Sequence, residues 1–128
     1  MLKNIPNSFT QEFLIHILES IIPASYVFVY MPVDFDTNCN LGFGYVSVSD
    51  LASLVKLYEC MHMKKWPQTS SKKTCEVVYA RIQGNRDMRR ICKDWTVMQL
   101  PEKYHPVFFK RENVVINGNS QVVLKRLK

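Results

Sequence analysis

The sequence predicts an α+β fold of the ferredoxin-like kind, in which a four-stranded antiparallel sheet carries two helices on one face. Two segments have the 3.6-residue periodicity of amphipathic helices, and each follows a residue that caps helices. Four short segments rich in β-branched and aromatic residues alternate with them in the order β-α-β-β-α-β. The chain of 128 residues is of the usual size for a single domain.

The first part of the chain supplies a strand, a helix and a second strand. The opening MLKNI alternates apolar and polar residues and stops before Pro6. Thr10 is placed to cap a helix with one apolar stripe, formed by Leu14, Ile17, Leu18 and Ile21. The second strand is expected from Tyr26 to Phe35, and Pro32 favours an edge position near its end.

The next part completes the pattern. Leu41 to Val48 predicts the third strand, and Asp50 is placed to cap the second helix. The apolar stripe of that helix consists of Leu51, Leu54, Val55 and Tyr58. After a basic loop, Cys75 to Ala80 predicts the last strand, so the core of the domain is expected to span residues 1–84.

Residues 85–109 are expected to form a helical and irregular extension. A third helix is predicted over residues 86–95, with one apolar and one basic face. The apolar face contains Met88, Ile91, Cys92 and Trp95, and the basic face contains Arg86, Arg89, Arg90 and Lys93. Residues 96–109 look irregular. Residues 110–128 form a basic tail, in which Asn117-Gly118 between VVI and QVVL allows a hairpin.

Composition limits the function classes. Seventeen Lys and Arg against eleven Asp and Glu give a net charge of +6, which favours a polyanionic partner or an acidic membrane surface. No apolar run has the length of a membrane span and no secretory signal is present, so we expect a nuclear or cytoplasmic protein that binds no membrane. The cysteines lack metal-site or redox spacing, and no nucleophile or phosphate-loop motif occurs. We therefore expect no cofactor, no metal and no enzymatic activity.

The third strand contains the segment that indicates function. LGFGYVSV matches the eight-residue motif of the RNA recognition motif (RRM). Phe43 and Tyr45 are two residues apart, which on a strand puts both rings on one face, where bases can stack on them. The alternative is that both rings are core residues, but Val46 and Val48 have the opposite parity and would then be exposed. Leu41 replaces the usual Lys or Arg of the motif.

A more specific resemblance comes from several blocks in order: LKNIPNSFTQ, FDTNCNLGFGYVSV, KKW and SKKTCEVVYARIQG. These resemble the carboxy-terminal RRM of the Mei-two-like proteins, regulators of meiosis and differentiation that bind RNA. The similarity covers roughly residues 1–95. It implies RNA contact through Phe43 and Tyr45, makes NCN and YARIQG part of the binding surface, and implies a helical extension after the last strand.

Further RNA-contacting residues are expected around the two rings: Met1, Lys3, Tyr30, Arg81 and Gln83. Met1 stands where RRMs usually have a third stacking aromatic. Tyr30 either extends the aromatic platform formed by Phe43 and Tyr45 or packs against the extension of residues 85–109. Trp66 either stacks on RNA or closes an edge of the core, and we favour the core. Arg86, Arg90 and Lys93 are expected to hold phosphates or to face a protein partner.

The predicted function is single-stranded RNA binding on the open sheet face, in post-transcriptional regulation. The alternative is an RRM whose sheet or helical face binds a partner peptide instead of RNA; Met1 and Leu41 motivate it, because each departs from the general RRM pattern.

Overall fold

The computed structural model describes residues 1–34, 36–80 and 101–127. Its helices are α1 (Gln11–Ile21) and α2 (Leu51–Met61), and Glu102–Tyr104 form a short 3-10 turn. Its strands are β1 (Leu2–Lys3), β2 (Tyr26–Tyr30), β3 (Phe43–Val48), β4 (Glu76–Val77), β5 (Val107–Ile116) and β6 (Asn119–Arg126). The first six elements follow the predicted β-α-β-β-α-β order.

Within the described residues the sheet has six strands rather than the predicted four, in the order β4-β1-β3-β2-β5-β6. All pairings are antiparallel. β5 pairs with β2 at Phe28↔Phe108 and Val29↔Val107, so β2 lies inside the sheet and not at the edge that was predicted. Residues 107–109 were predicted to be irregular, but they belong to this strand. The helix predicted over residues 86–95 lies outside the described residues.

β5 and β6 form a hairpin around Asn117 and Gly118. The two strands pair from Phe109↔Arg126 to Ile116↔Asn119, which leaves a two-residue loop. Asn117 and Gly118 have φ angles of 51° and 80°, as the favoured two-residue hairpin turn requires. Because β2 pairs only with the start of β5, the outer part of the hairpin extends beyond the body of the sheet.

Both helices begin at the predicted caps. The Thr10 hydroxyl accepts a hydrogen bond from the Phe13 amide at 3.1 Å, and the Asp50 carboxylate accepts one from the Ser53 amide at 2.7 Å. These bonds satisfy amides that have no partner within the helix. The two helices lie on one side of the sheet, and the main core between the layers includes Leu14, Leu18, Val29, Leu57 and Met61.

The predicted apolar stripe of α2 is not its buried face. Leu51 is 74% exposed and Tyr58 is 48% exposed, whereas Leu57 and Met61 are buried. β1 and β4 have only two residues each. A groove of about 480 Å³ lies between β3, α2 and the end of β4, and Leu54 and Val77 are among its lining residues.

Candidate nucleic-acid interface

Gly44 fixes which side of β3 faces the helices. A Cβ atom at this position would lie 3.2 Å from Ile5 Cδ1 and 3.4 Å from Leu14 Cδ2, so the backbone of β3 closely approaches the core here. Side chains alternate along a strand. Phe43 and Tyr45 therefore point away from the helices, onto the side of the sheet that we call the open face.

The two rings of β3 lie side by side on the open face. Their centroids are 5.9 Å apart at an interplanar angle of 85°, an edge-to-face contact, and both side chains are partly exposed. Val46 and Val48 pack against the main core, as the alternation requires. The open face thus offers two adjacent aromatic surfaces, which unpaired bases of any sequence can stack on.

β1 continues this surface. Lys3 lies directly opposite Phe43 on one side and Glu76 on the other, so its side chain shares the open face with them. The Met1 amino group donates to the Val78 carbonyl at 2.7 Å, and the Val78 amide donates to the Met1 carbonyl at 3.0 Å. Met1 therefore extends β1 by one residue, with its side chain on the same face as Lys3.

Tyr30 is placed differently from the two rings of β3. It lies opposite Tyr45 in the sheet register, but it is only 7% exposed. Tyr30 and Phe28 form a second cluster on the open face, against which Tyr45 of β3, Tyr104 and Phe108 pack. Of the two alternatives for Tyr30, the structure has the packed one, whereas Phe43 and Tyr45 of β3 are partly exposed.

Asn40, in the NCN segment, has a structural position that the sequence did not indicate. Its side chain is buried and donates to the carbonyls of Pro6 and Phe9 at 2.8 and 3.1 Å. Its Oδ1 accepts from the Gly42 amide at 2.8 Å, next to Phe43. Asn40 thus ties the loop before α1 to the start of β3 and helps to set the position of the first platform ring.

Gln11 is a second buried polar residue, and no sequence pattern indicated its role. Its Oε1 accepts from the Met31 amide at 2.9 Å, and its Nε2 donates to the His105 carbonyl at 2.7 Å. The first bond joins α1 to the end of β2, and the second joins α1 to the segment that leads into β5. Gln11 therefore fixes the carboxy-terminal segment to the body of the domain.

The remaining candidates fall into two groups. Trp66 is buried, donates from Nε1 to the Asn4 carbonyl at 2.7 Å and meets Phe9 edge-to-face, so it is the core residue that we favoured. Five predicted site residues lie outside the described residues: Arg81, Gln83, Arg86, Arg90 and Lys93.

The part of the chain that the structure describes has neither a metal-binding cluster nor a membrane-spanning helix. Within residues 1–34, 36–80 and 101–127, no group of three or more His, Cys, Asp or Glu side chains is arranged to hold a metal ion. No helix in the same ranges has the length and apolar character needed to cross a membrane.

The β4-β1-β3-β2 order, the two helices on one face and the paired rings on the other are the features of an RRM, a class of RNA-binding domain. A family model described as "RNA recognition motif 2" matches residues 1–93. The chain belongs to this family. The predicted family resemblance is therefore confirmed.

Similar proteins come from plants. The chain is 32% identical to "Protein terminal ear1" of Zea mays over 85% of its length, and 30% identical to "Protein MEI2-like 3" of Arabidopsis thaliana over 95% of its length. It is 27% identical to "Protein MEI2-like 5" of Oryza sativa over 97% of its length. The matched regions make up 19%, 16% and 15% of those proteins, so the chain spans less than a fifth of each relative.

Proposed function

We propose that this domain binds single-stranded RNA on its open face, with bases stacked on Phe43 and Tyr45. The observation that carries the proposal is the pair of adjacent, partly exposed rings on β3, backed by the close approach of Gly44 to the core. Lys3 lies beside Phe43, where its charge can attract a phosphate. A duplex keeps its bases stacked inside and cannot offer them to these rings, so single strands are the expected ligand.

We further propose a role in regulation of RNA after transcription, in meiosis or differentiation, in the nucleus or the cytoplasm. The resemblance to Mei-two-like proteins supports this part. The domain acts by binding, without catalysis and without a cofactor. The comparisons do not favour the alternative, a domain that binds a partner peptide instead of RNA; a protein partner of the carboxy-terminal segment remains compatible with RNA binding by the sheet.

The test compares single-ring variants by fluorescence anisotropy with labelled single-stranded oligonucleotides. Phe43→Ala and Tyr45→Ala should each weaken binding by about 1–3 kcal/mol, because each removes the ring on which one base stacks. This corresponds to roughly 5- to 150-fold in Kd. Phe43→Ala should keep the melting temperature close to that of the unmodified protein, since Phe43 packs in neither buried cluster, whereas Tyr45→Ala should lower it because Tyr45 packs against Phe28 and Tyr30.

Tyr58→Ala is the matched control. Tyr58 is an exposed aromatic residue on α2, where it stacks on His62 with the ring centroids 4.3 Å apart, on the opposite side of the sheet from the platform. Its removal should leave RNA affinity unchanged. Equal losses in all three variants, or a fall in melting temperature without a change in affinity for Phe43→Ala, would contradict the proposal.

A further inference from the structure

The β5-β6 hairpin has a face that continues the open face of the sheet. Phe108 packs in the open-face cluster with Phe28, so alternation along β5 puts Lys110 on the same side. Lys125 lies directly opposite Lys110 in the hairpin register. Both neighbours of Lys125 in β6 point to the helix side: Leu124 packs against the main core, and Arg126 pairs with Glu12 of α1 at 2.8 Å. Alternation along β6 therefore also puts Lys125 on the open face.

The two lysines form a like-charged cross-strand pair. Directly opposite residues have Cβ atoms about 4.5–5.5 Å apart, and equal charges at such positions destabilise a hairpin. Both side chains are exposed, and among the described residues the one ion pair found on this hairpin is that of Arg126, on its other face. Glu112 shares the face of the lysines but lies opposite Val123, one step diagonal to Lys125. The face keeps a net positive charge at its inner end.

A bound anion would relieve the repulsion between the two lysines. We propose that Lys110 and Lys125 form a second phosphate-binding site, which holds the RNA backbone after it leaves the aromatic platform. This inference rests on the proposed RNA binding and extends it to a part of the chain beyond residues 1–93, the range that matches the family. The hairpin lies beyond the residues that the family model matches, and the inference gives it a role in the length of RNA that the chain binds.

The sheet geometry gives the length of RNA needed. β5 and β6 are two and three strands away from β3, which is about 10–14 Å at the usual strand spacing. The registers put Lys110 about four residues, or roughly 13 Å, further along the strands than Tyr45. The lysines therefore lie about 16–20 Å from the platform, which corresponds to roughly five or six nucleotides at a stacked rise of about 3.4 Å.

The experiment uses two probes of different length, a tetrauridylate and a decauridylate. A tetranucleotide with its central bases on the two rings does not reach the lysines, whereas a decanucleotide does. Each phosphate contact on a single strand contributes about 0.7 to the log–log dependence of affinity on salt, so two contacts contribute about 1.4. Lys110→Gln/Lys125→Gln should therefore lower the slope for the decamer by about 1.4 and weaken its binding roughly tenfold or more at 0.1 M salt, with the tetramer unaffected.

Lys56→Gln/Arg111→Gln is the matched control, because it also removes two positive charges, but from residues on the helix side. Lys56 is exposed on α2, and Arg111 lies opposite Leu124 on the helix-facing side of the hairpin. A charge-keeping variant, Lys110→Arg/Lys125→Arg, should retain decamer binding. Melting temperatures of all variants check that the domain remains folded, and removal of the like-charged pair should leave stability equal or slightly higher.

The outcomes separate this inference from the function that it rests on. If the decamer binds and responds to Phe43→Ala but not to Lys110→Gln/Lys125→Gln, the second site is wrong and the platform stands. An equal loss of affinity in the control variant, or an equal loss for tetramer and decamer, would also overturn the site. Either result would mean that the net charge of the protein, and not a local site, determines the affinity. If neither probe binds the unmodified protein, the proposed function fails and the second site fails with it.

Discussion

Asn40 connects fold stability to the geometry of the platform, and its removal gives a defined loss. Asn40→Ala deletes three hydrogen bonds, to the Pro6 carbonyl, the Phe9 carbonyl and the Gly42 amide. The Pro6 carbonyl keeps a partner, because it also accepts from the Phe9 amide at 3.0 Å. The main loss of stability therefore comes from the Phe9 carbonyl and the Gly42 amide, which lose their hydrogen bonds to Asn40.

Each buried polar group left without a partner costs about 1–3 kcal/mol. We expect Asn40→Ala to lower the free energy of unfolding by about 1–4 kcal/mol, since the Phe9 carbonyl is left buried without this partner and the Gly42 amide is only partly buried. RNA affinity should also fall, because Gly42 has a left-handed φ of 91° directly before Phe43 and loses the bond that holds it.

Urea unfolding followed by far-ultraviolet circular dichroism measures the loss, and the slope of the transition checks that the unfolded reference is unchanged. Asn7→Ala is the control: Asn7 is exposed, and its side chain accepts a 3.4 Å hydrogen bond from Lys73 at the surface. It should change stability by less than about 0.5 kcal/mol. A loss below about 1 kcal/mol for Asn40→Ala, or equal losses for both variants, would refute this account of the loop.

Two further predictions follow from buried and capping groups. Burial raises the pKa of the Cys75 thiol to about 12, whereas Cys39 and Cys60 are exposed. In the folded protein, iodoacetamide should therefore modify Cys39 and Cys60 much faster than Cys75, which peptide mass spectrometry measures. Equal rates for the three thiols would contradict the burial of Cys75. The Ser53 amide lowers the pKa of the Asp50 carboxyl, and a lowered pKa in the folded state means that the stabilisation is present at neutral pH and is lost as the pH falls through that pKa. Asp50→Ala should therefore reduce the melting temperature at neutral pH, with a difference that shrinks in acid, and a difference independent of pH would be inconsistent with this cap.

The parts of the fold that were predicted correctly depend on local chemistry. Thr10 and Asp50 are short acceptor residues immediately before apolar periodic segments, and both cap their helices. The parity of Phe43 and Tyr45 against Val46 and Val48 follows from strand alternation alone. These features need only neighbouring residues, so a single sequence contains them.

The parts that were missed depend on distant partners. β5 was not predicted because Val107 and Phe109 face the main core while Phe108 faces the second cluster, so an apolar run without alternation conceals the strand. The predicted buried face of α2 was wrong: Leu57 and Met61 are buried, and they pack in a core whose other members are distant along the chain.

The buried polar side chains depend on distant partners in the same way. Gln11 bonds to Met31 and His105, and Asn40 bonds back to the loop before α1. No spacing along the chain reveals contacts of this range.

The central claim is that the open face of the sheet, and not the helix side, receives single-stranded RNA. Titration of ¹⁵N-labelled protein with a decauridylate, followed by amide chemical shifts, tests it residue by residue. We expect the largest changes in Leu2–Lys3 and Phe43–Ser47, with smaller changes at Lys110 and Lys125 and little change along α1 and α2. Changes concentrated along α2 and its exposed stripe, with β3 unaffected, would contradict the account.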